Sequence, residues 1–179
     1  ASAVAADWPT ESAAFCESNE DACRFLQEMK PVRTRAGHFH FTGAYLDVPG
    51  VEAVILNRLL YGNDDPGVRS ALVPAIHPFL AANPHVAEEI FLTETDPGVR
   101  VQLVASMRDS RRAESHVFLL RASRDEDARV RQTVAATVGF RPKDTRWLSI
   151  LETMLLDDNH TVRATSARSL GWFAESRSF

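Results

Sequence analysis

No run of this 179-residue chain approaches the roughly 20 consecutive apolar residues that a helix needs to cross a bilayer, so no segment reads as a membrane span. Lysine is almost missing: Lys30 and Lys143 are the only two, and arginine carries the rest of the basic charge. Codon usage in a GC-rich genome accounts for that bias as well as any function does. Glycine and proline are not enriched, which argues against disorder over most of the length. What is present, 45% hydrophobic and 25% charged residues, is ordinary for a folded protein with a sizeable core or a short run of stacked units.

The signatures of local chemistry are missing too. There is no Gly-x-Ser-x-Gly, no glycine-rich phosphate loop and no His-Glu-x-x-His. No catalytic residue and no cofactor is expected. In the stretch 31–50, "PVRTRAGHFHFTGAYLDVPG", partial alternation between glycines suggests a short hairpin or ordered loop. His38 and His40 would then point the same way. With no cysteine or third histidine nearby, no metal site is expected there.

Only two cysteines occur, Cys16 and Cys23. Seven residues apart on one straight helix they would stand about 10 Å from each other, too far to bond. A turn near residues 17–19 would bring them together, giving a helical cap stapled by one disulfide; otherwise there is no bond. An isolated close pair in a short chain suits an oxidising compartment. The start, Ala-Ser-Ala-Val-Ala-Ala, fits a mature exported protein. A periplasmic or secreted location is the expectation, and a cytoplasmic one the alternative.

Charge is unevenly spread. Residues 1–99 hold six Lys/Arg against fourteen Asp/Glu, residues 100–146 eleven against six, and the remainder three against four, for a net charge of -4. An acidic front and a basic middle result.

The strongest signal is internal repetition. Val68-Arg69, Val99-Arg100, Val130-Arg131 and Val162-Arg163 recur at intervals of 31 or 32 residues. Three residues before each valine stands Asp65, Asp96, Asp127 or Asn159, where a helix N-cap is wanted. Pro66 and Pro97 follow at the first helical position, which tolerates proline because its missing N–H had no partner. From each valine an apolar stripe runs at four-residue spacing: Val68, Leu72, Ile76; Val99, Leu103, Met107; Val130, Val134, Val138. Ser166 interrupts the fourth stripe, between Val162 and Leu170. Upstream of each acidic turn is an apolar run of helical length. Two helices per 31-residue unit predict a helical solenoid. The arginines Arg69, Arg100, Arg131 and Arg163 lie about 100° round from the stripe. They are expected to form a ladder with the recurring acidic turns, so the repeated "DPGVR" is a cap and a lock rather than an active site.

These strings, "DDPGVRSALVPAI", "TDPGVRVQLVASM", "DEDARVRQTVAATVG" and "DDNHTVRATSARSLG", resemble HEAT-like repeats of the short type found in phycobilisome lyases, with Asp-x-x-Val-Arg opening the second helix. The resemblance covers residues 51–171 and implies an all-α, right-handed α-solenoid of four helix pairs. The units are about 51–80, 81–111, 112–141 and 142–179, preceded by an atypical N-terminal helical cap and connecting loop or hairpin over 1–50. Some HEAT-like families are enzymes, but the repeated His-Glu dipeptides of the di-iron hydroxylases are missing here. Nothing specifies the pigment pocket of the lyases. HEAT-like DNA glycosylases use a basic concave face, which Arg108, Arg111, Arg112 and Arg124 of the basic middle would supply here. The acidic overall charge argues for keeping nucleic acid as the alternative partner. The resemblance therefore implies a non-catalytic scaffold that binds another protein through its concave face or an exposed end. Second-helix residues opposite the stripe form that face: Ser70, Pro74 and His77; Val101, Ala105 and Arg108; Gln132, Ala136 and Gly139; Ala164, Arg168 and Gly171. Ser70, His77, Val101, Arg108, Gln132 and Arg168 are the expected contacts. At the C-terminus, Trp172, Phe173 and Phe179 either cover the last repeat or stay exposed.

Overall fold

A computed structural model describes residues 16–28, 32–33, 39–40, 49–61, 65–141 and 144–176. The fold is an all-α helical solenoid. By contact it divides into two compact units, 1–79 and 80–179, so that the first helix pair is grouped with the N-terminal segment.

In the first unit, residues 16–18 are helical, Asn19 turns the chain, and α1 (Glu20–Glu28) follows. The turn brings the Cα atoms of Cys16 and Cys23 to 5.7 Å, and the two form a disulfide. Val32–Arg33 (β1) and Phe39–His40 (β2) pair antiparallel with Val32 opposite His40. The sequence allows a short hairpin or an ordered loop over 31–50, and these two pairs are the part of it that the structure describes. His38 lies outside the described residues, and only the backbone of His40 is described. Gly50, at φ 82°, makes the turn into α2 (Val51–Tyr61), a conformation that L side chains rarely adopt. A Cβ there would meet Asn19 Oδ1 at 2.7 Å. Helix α1 packs on α2, and α2 on α3 (Pro66–Ala75).

The stripe of α3 was expected to run through Ile76 and His77 in one helix. Instead the helix ends at Ala75, Ile76 is its C-cap, and a separate short helix α4 (His77–Ala82) begins. Pro78 is the reason: it has no N–H to give the Pro74 carbonyl, so the ladder breaks there. Leu72 and Ile76 remain fully buried, while Val68 is half-buried.

The second unit carries three helix pairs. They are α5 (Pro84–Thr93) with α6 (Pro97–Ser106), α7 (Glu114–Ala122) with α8 (Ala128–Gly139), and α9 (Leu148–Met154) with α10 (His160–Ser176). Each second helix starts where the repeat predicts. Asp96 accepts from the Gly98 and Val99 amides, Asp127 from Arg129 and Asn159 from Thr161; in the first unit Asp65 accepts from Gly67. Such a cap is worth about 1 kcal/mol. The second helices pack in series, α6 on α8 and α8 on α10, while α5 lies on α7. Val99, Leu103, Met107, Val130, Val134, Val138 and Val162 are fully buried between the layers. Each such side chain contributes about 2 kcal/mol of burial. Ser166 is buried too, and its hydroxyl donates back to the Val162 carbonyl, which satisfies it inside the stripe. Phe173 is buried and Trp172 exposed, so the two rings divide the roles expected of the C-terminus; Phe179 lies outside the described residues.

The arginine ladder exists, but its carboxylates are not the caps. Arg100 forks onto Asp125 at 2.9 and 3.0 Å, and Arg131 onto Asp157 at 2.7 and 2.9 Å. Those aspartates stand two residues before the caps of the following repeat. The caps face their own helices instead: Asp96 holds the Gly98 and Val99 amides, and Asp127 holds the amide and guanidinium of Arg129. The third nitrogen of each arginine donates to two carbonyls of its own turn: Glu94 and Thr95 for Arg100, Asp125 and Glu126 for Arg131. Arg163 repeats that motif on Asp157 and Asp158. Arg69 is half-buried in the first unit.

The Arg131 guanidinium holds the Asp157 carboxyl at about 2, below its ordinary 3.8. Since the folded value is the lower one, the carboxylate's contribution is complete above about pH 5 and lost as pH falls through about 2. About 2 kcal/mol is at stake. Urea denaturation from pH 5 to pH 2 should show that loss in the wild type and a shallower fall in Asp157→Asn. Parallel curves would remove the linkage.

Candidate functional site

At the edge opposite the acidic turns, the C-terminal ends of α6 and α8 meet the chain entering α7 and α9. Met107–Asp109 closes α6 as one 3₁₀ turn, and Thr145–Trp147 opens α9 as another. Between them lies a cleft of about 340 Å³ lined by Arg108, Asp109, Ser110, Arg111, Arg112, Phe140, Arg141, Asp144, Arg146 and Trp147. Five arginines face two aspartates in this small volume.

The five have different duties. Arg141 is structural: it reaches back one repeat and donates to the Met107 and Arg108 carbonyls and to Ser115 Oγ at 3.3 Å. A cation at the exposed carbonyls of a helix C-terminus is favourably placed. Its guanidinium also lies 4.9 Å from the Trp147 ring. Burial pushes Arg141 down from the usual guanidinium range, against the pull of Asp144 and Asp109, yet a guanidinium keeps its proton in proteins. Arg146 is paired with Asp144, whose carboxyl it holds below the ordinary value. Arg108 lies with its guanidinium 3.7 Å from the centre of the Phe140 ring, and among the described residues its side chain makes no ion pair. Arg111 and Arg112 are exposed, and among the described residues their side chains pair with no carboxylate.

Beside the cleft runs a short row of stacked groups. Arg108 covers Phe140, and Phe140 meets Trp172 with ring centres 5.8 Å apart. The three come from the ends of successive second helices, and Phe140 and Trp172 are 48% and 37% exposed. The row depends on close helix packing: a Cβ on Gly139 would stand 2.8 Å from Ser169 Cβ and 3.0 Å from Trp172 Cε3.

The residues expected on the concave face are placed unequally. Arg108 and Arg168 are exposed, whereas Ser70, His77 and Val101 are half-buried. Gln132 is half-buried as well and donates to Thr165 Oγ1 at 3.3 Å, bridging α8 and α10. Gly139, read as surface, is buried, because α10 closes over it; Gly171 is open, with nothing within 4 Å of a Cβ. Of the basic set, Arg108, Arg111 and Arg112 come together. Arg124 does not: it follows the C-terminus of α7, whose N-terminus is at the cleft, and nine helical residues span about 13 Å. Arg141, Arg146, Phe140 and Trp147 were missed, since no pattern within one unit marks residues that meet only when units stack. Among the described residues no three His, Cys, Asp or Glu side chains form a group able to hold a metal ion. No helix among them is long and apolar enough to cross a membrane.

Stacked helix pairs, capped and locked at a 31-residue interval, define a helical-repeat protein. Residues 85–171 match the family model for HEAT repeats, so the helix pairs of the second unit are HEAT-like repeats. The match takes in the three pairs of the second unit, nearly to the end of α10, and is to the repeat family at large, not to the lyase type. HEAT repeats are commonly protein-interaction scaffolds. A search of curated proteins finds no match to the chain.

Proposed function

We propose that this protein is a non-catalytic scaffold that binds a partner protein on the second-helix face and its helix ends. The observation that carries the reading is the exposed row Arg108, Phe140, Trp172, one residue from each of three successive repeats. Arginine and large aromatics are the side chains that most often dominate protein interfaces. Val101, Gln132 and Arg168 supply the flanking contacts on this reading, and Ser70 and His77 would be contacts of the first unit by itself. Affinity capture from the native compartment tests it. Arg108→Glu combined with Trp172→Ala should remove the captured partner, with helicity by circular dichroism unchanged. An identical partner recovered in equal yield would end the proposal.

One observation favours nucleic acid as a second reading: Arg108, Arg111 and Arg112 share one cleft. Duplex binding draws on several phosphate contacts along a continuous basic surface, and Arg124 is separated from the others by the length of α7. The nucleic-acid reading predicts retention on duplex DNA that falls steeply with salt. We also propose an oxidising compartment, periplasmic or extracellular, on the support of the Cys16–Cys23 bond.

A further inference from the structure

We infer that the arginine cleft anchors a carboxylate-rich segment of the partner protein, with an apolar residue of that segment seated on Phe140 and Trp172. This deepens the scaffold reading and rests on it. The argument is one of uncommitted charge. Arg141 is spent on backbone carbonyls and Arg146 on Asp144, so neither is available to a ligand except through its field. Arg108, Arg111 and Arg112 remain, and their only carboxylate neighbour lining the cleft besides Asp144 is Asp109. Among the described residues Asp109 makes no ion pair with them. Three guanidinium forks with free donors around a small concavity match planar carboxylates, which they can grip in pairs.

Volume and surroundings narrow the class. A cleft of about 340 Å³ admits one or two side chains, at the lower end of the range for ligand pockets. It is no track for a duplex. The exposed ring of Phe140 stands directly beside Arg108, and that of Trp172 next to Phe140. An isolated inorganic anion would make no use of them, whereas a peptide that places an aliphatic or aromatic residue next to its glutamates would cover both. Apolar area at the centre with charge at its margin is the usual composition of such contacts.

The probe is a fluorescein-labelled peptide of sequence Glu-Glu-Leu-Glu-Glu-Phe, titrated with the full chain and read by fluorescence anisotropy. The matching Lys-Lys-Leu-Lys-Lys-Phe peptide, inorganic pyrophosphate and a 20-base-pair DNA duplex serve as competitors. Binding of the acidic peptide should weaken with salt, and the lysine peptide should not compete. Arg111→Glu with Arg112→Glu should weaken binding by at least about tenfold. Arg124→Glu, which changes one exposed charge at the far end of α7, should leave it within about twofold. Trp172→Ala should weaken the Leu/Phe peptide but not an all-glutamate one. The inference is overturned if the acidic peptide fails to bind, if Arg124→Glu weakens it as much as the double variant, or if duplex DNA displaces it more tightly than it binds. The two proposals fail differently. Should the Arg111→Glu, Arg112→Glu double variant still capture the native partner in full yield, this inference falls while the scaffold reading stands. Loss of capture only in the Arg108→Glu, Trp172→Ala variant has the same meaning.

Discussion

Replacing Arg100 by methionine should lower the unfolding free energy by about 3 kcal/mol and the melting temperature by about 10 °C. Arg100 and Asp125 are both nearly buried, with side chains 7% and 6% exposed. Removing the guanidinium leaves the Asp125 carboxylate out of water, holding the Asp127 amide but no longer an arginine fork. It also strips the Glu94 and Thr95 carbonyls of their donor. Arg100→Lys should recover little, because one ammonium cannot fork onto the carboxylate and reach both carbonyls. Arg100→Met with Asp125→Leu should recover most of the loss, since no charge is then left stranded. Urea denaturation followed by circular dichroism measures all three. A loss below about 1 kcal/mol in Arg100→Met would place the pair among ordinary surface ion pairs.

Adding one methyl group at two glycines 32 residues apart should act in opposite directions. Gly139→Ala puts its Cβ 2.4 Å from Ser169 Oγ and 2.8 Å from Ser169 Cβ. The serine cannot swing clear, because its hydroxyl is buried and donates to the Ala135 carbonyl. Helices α8 and α10 must then part, at a cost of about 2 kcal/mol. Ser169→Ala leaves the Cβ in place and should not rescue; Ser169→Gly should. Gly171→Ala meets nothing within 4 Å and should stabilise α10 by up to about 1 kcal/mol through helix propensity. Thermal melts of the four variants decide. Equal shifts at the two glycines would mean that α10 does not close on α8 as described.

How much of this was legible beforehand follows from what repeats. The caps Asp65, Asp96, Asp127 and Asn159 and the valines three residues after them are local features stamped into every unit, so their period exposes them. The true ladder partners recur as well: Asp125 and Asp157 are 32 residues apart. Yet they sit in the same acidic turns as the caps, and spacing alone does not divide duties between two carboxylates two residues apart. Only the stacked geometry does: Arg100 and Arg131 fork onto Asp125 and Asp157, while the cap Asp127 holds Arg129 of its own helix. The break at Ile76 is written in Pro74 and Pro78, but the apolar stripe continues through it and masks the signal. The arginine cleft was not readable in this way. Arg108 and Arg141 are 33 residues apart and touch only because one helix end stacks on the next.

Arg100 clasps the second and third repeats at their acidic rim, and Arg141 clasps the same two at the opposite rim. A block bolted along both borders has no slack joint between those repeats. A visiting chain would find its landing ground already set, and the loss of freedom on docking would fall almost wholly on the visitor. Changes that stiffen the visitor's acidic stretch should therefore tighten the complex more than any further bracing of the array.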